Sequence, residues 1–130
     1  MSNAFLANRS YKAVQKDMMS DKAIELRVFM SVTAQLKALK ETDRDYFVKL
    51  SDAIIDNLKL WKIVFIDLVD PKNPLPLDLK NQLLGLAEFT ETHSRKVLLS
   101  EAKPDVLIDI NNAIIAGLRQ SLSPKKTEAA

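Results

Sequence analysis

Residues 67–80 read DLVDPKNPLPLDLK and hold three of the chain's five prolines. Uninterrupted helical patterns flank them on both sides. Pro71 ends the upstream pattern, because the residue before a proline is pushed out of the helical region. Asn73-Pro74 is a turn signal. Pro76 suits the first turn of a new helix, where its missing N–H is harmless. Asp78 then puts a carboxylate where the helix dipole favours one. The stretch is a stop, a corner and a start. It predicts two long helices meeting at a stiff bend, and that decides the fold class.

Upstream of the bend, Phe47, Leu50, Ile54, Leu58, Trp61, Phe65 and Leu68 recur at steps of three and four, which predicts a helix over 43–69 with these residues on its buried face. At 1.5 Å per residue it spans roughly 40 Å and reads as the central rod. Its second half adds Leu60, Ile63, Val64 and Ile66 and is apolar on several faces, the mark of a helix surrounded by others. Before it, Ile24, Val28, Phe29, Val32, Leu36 and Leu39 predict a helix over 21–40. The corner KETDR offers Thr42 as the cap of the helix that follows. After the bend, Leu79, Leu83, Leu86, Thr90, His93 and Val97 share an arc and predict a helix over 76–99. Pro104 opens a fourth, with Leu107, Ile110, Ile114 and Leu118 on one face. Gly117 beside that face predicts the close approach of a neighbouring backbone.

SYKAVQKDMMS, residues 10–20, spaces Tyr11, Val14 and Met18 by three and four. It reads as a short apolar-faced helix or arm that either folds back on its own bundle or serves a partner. Residues 1–9 and the proline-led tail SPKKTEAA, 123–130, read as flexible. The expectation is an all-α fold: a compact bundle of four main helices with a short N-terminal arm, forming a single domain over 10–122.

Composition agrees and narrows the function classes. A chain of 130 residues suits one domain, and its two glycines suit helices better than sheet. The net charge of +2, with both signs interspersed, gives no basis for a direct nucleic-acid partner. The absence of cysteine excludes disulfides and thiolate metal sites, and suits a reducing cytoplasm. Lys62 and Asp67 interrupt the richest apolar run, LWKIVFIDLV. Nothing approaches the ~20 apolar residues of a membrane span, so membrane insertion is not expected. No basic-then-apolar leader opens the chain.

Catalytic chemistry has little to build on. The sole histidine, His93, lies at the edge of a helical stripe and reads as a packing or surface residue. Asp105 and Asp109 stand four apart, but a helical di-metal site also needs Glu-x-x-His, which is missing. They read as a solvated acidic face. Two isolated glycines cannot build a phosphate loop. No enzyme, cofactor or metal is expected. Trp61, in register with Leu58, Phe65 and Leu68, reads as core rather than as a partner hot spot.

The same residues carry a resemblance. Leu60-Trp61, then Asp67-Leu68, Pro71, Asn73, Leu75-Pro76 and Leu79, resemble the FlaF family of flagellar biosynthesis regulators. LIDINNAIIAGLRQSL, 107–122, is similar to the family's closing helix. Ser10, Tyr11, Val14, Gln15 and Asp17 are similar to its opening. AEFTETHS, 87–94, departs from the family's pattern. The resemblance implies a cytoplasmic, non-enzymatic helical protein that promotes flagellin production and export. Such a protein binds flagellin as an adaptor or chaperone, in opposition to the translational repressor FlbT. The alternative it leaves open is a post-transcriptional regulator acting on flagellin mRNA, directly or through FlbT. Flagellin termini are expected to be amphipathic helices, and a helical adaptor offers such a helix a groove. Tyr11, Val14, Met18 and Phe89 are the residues expected to contribute to it.

Overall fold

The bend at 70–76 is built from side chains that replace lost helical partners. Asp70 N–H donates to the Asp67 carbonyl at 3.3 Å and Asn73 N–H to the Asp70 carbonyl at 2.9 Å. The Asn73 amide donates to the same Asp67 carbonyl oxygen at 3.0 Å, giving this helix-end acceptor a second donor. Asp70 and Asn73 each accept from the backbone two residues on, at 2.9 and 3.0 Å. These are two successive Asx turns, each followed by a proline that fixes φ. Pro76 takes the capping position, and its carbonyl accepts the first helical bond from Lys80 N–H at 2.9 Å.

The computed structural model describes residues 21–122, and within them the chain forms four helices and no strand. They are α1 (Asp21–Lys37), α2 (Tyr46–Val69), α3 (Leu77–Leu98) and α4 (Asp105–Leu122). The expectations for the arm and the tail lie outside the described residues. α1 packs along both α2 and α4, and α2 along α3, while α3 and α4 approach each other sparsely. The bundle therefore packs closely on three sides and more openly on the fourth, where α3 and α4 still share core residues, Ala87 with Ile115 and Val97 with Leu107.

α2 starts later than its sequence suggests. Thr42 does not cap it; residues 41–45 form turns, with Asp43 N–H donating to the Lys40 carbonyl at 2.9 Å and Tyr46 N–H to the Asp43 carbonyl at 3.1 Å. Asp45 stands at the helix start without a side-chain capping bond. It pairs instead with Lys49, as Asp43 does, each at 3.4 Å. The Asp45 bond, with both charges nearby, raises the Lys49 pKa above its ordinary value. At the same end, Lys103 Nζ donates to Glu41 Oε2 at 3.0 Å, which raises the Lys103 pKa and ties the α1–α2 connection to the α3–α4 connection.

The core has two apolar halves. Phe29, Val32, Leu60, Trp61, Ala87 and Ile115 fill the half nearer the proline bend. Leu36, Leu50, Ala53, Ile54, Val97 and Leu107 fill the other. Between them every helix contributes a buried polar residue: Thr33, Asn57, Thr90 with Ser94, and Asn111. Trp61 is core, packed edge-on against Phe29 with ring centroids 5.8 Å apart.

Two expected core residues are not in it. Phe47 is 54% exposed and Phe65 46%. At 3.6 residues per turn they stand about 60° round the helix from Leu50 and Leu68, outside the arc that α1 and α3 cover. The close approach expected at Gly117 is also absent: no neighbouring atom lies within 4 Å of where its Cβ would be.

Candidate functional site

The open side between α3 and α4 gathers the features of a docking surface. His93 fixes one end of it. Its Nε2–H donates to the Lys103 carbonyl at 2.8 Å, pinning the α3–α4 connection to α3. One turn earlier Phe89 stacks on the imidazole, with ring centroids 5.4 Å apart and planes 18° from parallel. Phe89 remains 44% exposed. Leu86, on the same flank of α3, is half-buried against the core.

The facing edge of α4 is set by register. Arg119 donates to the Met30 sulfur of α1 at 3.7 Å, so that flank of α4 looks toward α1. Ile110, Ile114 and Gly117, with Ala113 beside them, fall on the opposite flank. Ile110 and Ile114 are half-buried, and Ala113 and Gly117 are exposed. Leu79 and Leu77, both exposed, stand at the start of α3, next to the bend. The surface is thus apolar, bounded by two helices, and small-residued on one bank where a visiting backbone would lie.

A second apolar surface runs along α2. Phe47, Val48, Ile55, Phe65, Ile66 and Val69 are all exposed. Together with half-buried Leu58 they occupy an arc of about 100° of the helix. The sequence reads α2 as apolar on several faces, hence surrounded; its neighbours among the described residues cover only one of those faces.

Of the residues expected to meet a partner, Phe89 is on the open side of the bundle. Tyr11, Val14 and Met18 lie outside the described residues. His93 has a structural role, holding a connection. Asp105 and Asp109 are exposed on α4, and among the described residues no three His, Asp or Glu side chains gather as a metal site would require. No helix among them is long and apolar enough to cross a membrane.

The buried polar layer is what the sequence reading missed. Trp61 Nε1–H donates to Asn111 Oδ1 at 2.9 Å, and Asn111 Nδ2 donates to Asn57 Oδ1 at 2.8 Å. This chain of bonds crosses the bundle from α2 to α4. Asn57 lies three residues after Ile54 and four before Trp61, so its place on the core face could have been read from spacing alone. Its partner could not.

No curated protein and no solved structure matches the chain. The family model of the flagellar protein FlaF matches residues 7–118, a span that takes in the Leu-Trp pair, the proline bend and most of α4. The chain belongs to the FlaF family of flagellar proteins.

Proposed function

We propose that this protein regulates flagellar biosynthesis by binding flagellin in the cytoplasm, as an adaptor or chaperone that promotes its synthesis and export, and that it acts by binding rather than by catalysis. The observation that supports this most is the open α3–α4 side. The α3–α4 pairing is the sparsest in the bundle, and Phe89 is exposed beside half-buried Leu86, with Ile110 and Ile114 half-buried on α4, so this side offers apolar surface on which an amphipathic helix would lie. A flagellin terminus is such a helix, and covering its apolar face would keep flagellin from associating before export. Monomeric proteins seldom leave contiguous apolar surface uncovered without a partner.

The test is a photo-crosslinking pull-down. A photoreactive side chain placed at Ala113, on the small-residued bank, should capture flagellin, with the cross-link mapping to a flagellin terminus. Recovery of FlbT in place of flagellin would overturn the direct-binding reading in favour of control through the repressor.

A further inference from the structure

The outer face of α2 is complementary to itself. Val48, Asp52, Ile55, Lys59, Lys62 and Ile66 recur along it at steps of three and four, about half a turn round the helix from buried Leu50 and Asn57. Asn57 marks the level of the stripe's middle. Val48 and Ile66 stand equally far from it along the chain, as do Asp52 and Lys62, and Ile55 and Lys59. The outermost pair is apolar with apolar, and the next is anion with cation. The innermost sets an isoleucine against the hydrocarbon stem of a lysine. Asp52, Lys59 and Lys62 have no ion-pair partner among the described residues. A stripe in this order matches its own reverse. Its size is also that of an interface. Exposed Val48, Ile55, Phe65, Ile66 and Val69 leave open roughly 500 Å² of apolar surface. Asp52, Lys59 and Lys62 bring the face near the ~800 Å² per partner of a stable complex.

We propose that two copies of this chain associate through the outer faces of their α2 helices, antiparallel, about a two-fold axis level with Asn57. Val48 of one copy then lies against Ile66 of the other. Ile55 lies against the stem of Lys59 and half-buried Leu58, and the Asp52 carboxylate lies beside the Lys62 ammonium. The two-fold axis makes every contact twice. A parallel pairing would set Lys62 against Lys62 and Asp52 against Asp52, so charge selects the antiparallel one. Phe47 and Phe65 border the stripe on one side and form the rim of the contact. No residue of the α3–α4 side takes part, and the proposal does not rest on the flagellin reading.

Sedimentation equilibrium of the full chain, at micromolar concentration and above, should show a dimer. A monomer throughout would mean that the face is covered from within the chain or by a different protein, and would overturn the proposal. Ile55→Asp sets a carboxylate beside the axis and should weaken association roughly tenfold or more, with the helical circular dichroism unchanged. Undiminished association would place the contact elsewhere and overturn the proposal. Charge exchange tests the register. Asp52→Lys should weaken the dimer, and adding Lys62→Asp to the same chain should restore it; a dimer that stays weak in the double variant would overturn the antiparallel pairing. The chain has no cysteine, so orientation can also be read by cross-linking. Chains carrying Val48→Cys, mixed with chains carrying Ile66→Cys, should form a mixed disulfide on mild oxidation, whereas Val48→Cys alone should not. Val48→Cys chains that cross-link to each other instead would show a parallel pairing and overturn the proposal. None of these experiments contains flagellin, so a failure of flagellin binding leaves every outcome unaffected.

Discussion

Ser100 carries the one left-handed backbone conformation among the described non-glycine residues, with φ of 62°. It ends α3: its N–H donates to the Val97 carbonyl at 3.0 Å, and Glu101 N–H donates to the Lys96 carbonyl at 2.8 Å. That is the Schellman arrangement, whose left-handed position normally holds glycine. An L side chain there is strained by about 1–2 kcal/mol, and glycine gives part of this back in unfolded-state entropy. Ser100→Gly should therefore stabilise the protein by about 1 kcal/mol, raising the thermal midpoint by roughly 4 °C. Asn73→Ala should act the other way. It removes the bond to the Asp67 carbonyl and the turn that holds Leu75, and should lower stability by about 1 kcal/mol in urea titration. The role of Asn73 as a corner residue was legible in the Asn-Pro dipeptide. Ser100 was not, because nothing in a serine announces a left-handed helix end.

The two faces of α2 make an element-scale test. Leu50 and Phe47 belong to one three-four pattern in the sequence, yet Leu50 is buried and Phe47 exposed. Leu50→Ala should cost about 2–5 kcal/mol, whereas Phe47→Ala should cost under about 1 kcal/mol. Equal losses would show that the helix is rotated from the orientation described. The difficulty for sequence reading is geometric. A stripe drawn in steps of three and four is wider than the arc two neighbouring helices can cover, and a 24-residue helix has apolar residues to spare on either side of it. The helices, their order and the bend were all legible in periodicity and prolines. Which flank of the stripe stays outside depends on where α1 and α3 sit, and no residue of α2 records that. Phe89 shows the same limit in reverse: its exposure was expected, but its stacking on His93 and the tie from His93 to Lys103 depend on the α3–α4 connection.

Across the molecule, the Trp61–Asn111–Asn57 bonds in the polar layer between the two apolar halves fix how α2 and α4 line up. A bonded buried polar group penalises any shift that separates it from its partner, whereas two apolar layers tolerate sliding. Asn111 is the central member, bonded to both Trp61 and Asn57. Asn111→Leu leaves the Trp61 N–H buried and unpaired, and should cost about 1–3 kcal/mol. Thr90 is in the same layer, but its hydroxyl has no partner among the described residues. Thr90→Val should be neutral or stabilising, and the contrast between the two variants in urea titration tests whether pairing, not polarity, is what the layer contributes. The sparsely packed α3–α4 side stands against this ordered interior as the place where we propose that the protein meets another polypeptide. Calorimetric titration of flagellin into the native protein and into Phe89→Asp tests that claim most directly. The account predicts binding by the native protein that changes little with salt, as expected of an apolar contact. It also predicts roughly tenfold or greater weakening in a variant that keeps the native melting profile. No binding by the native protein, or equal binding by both, would contradict it.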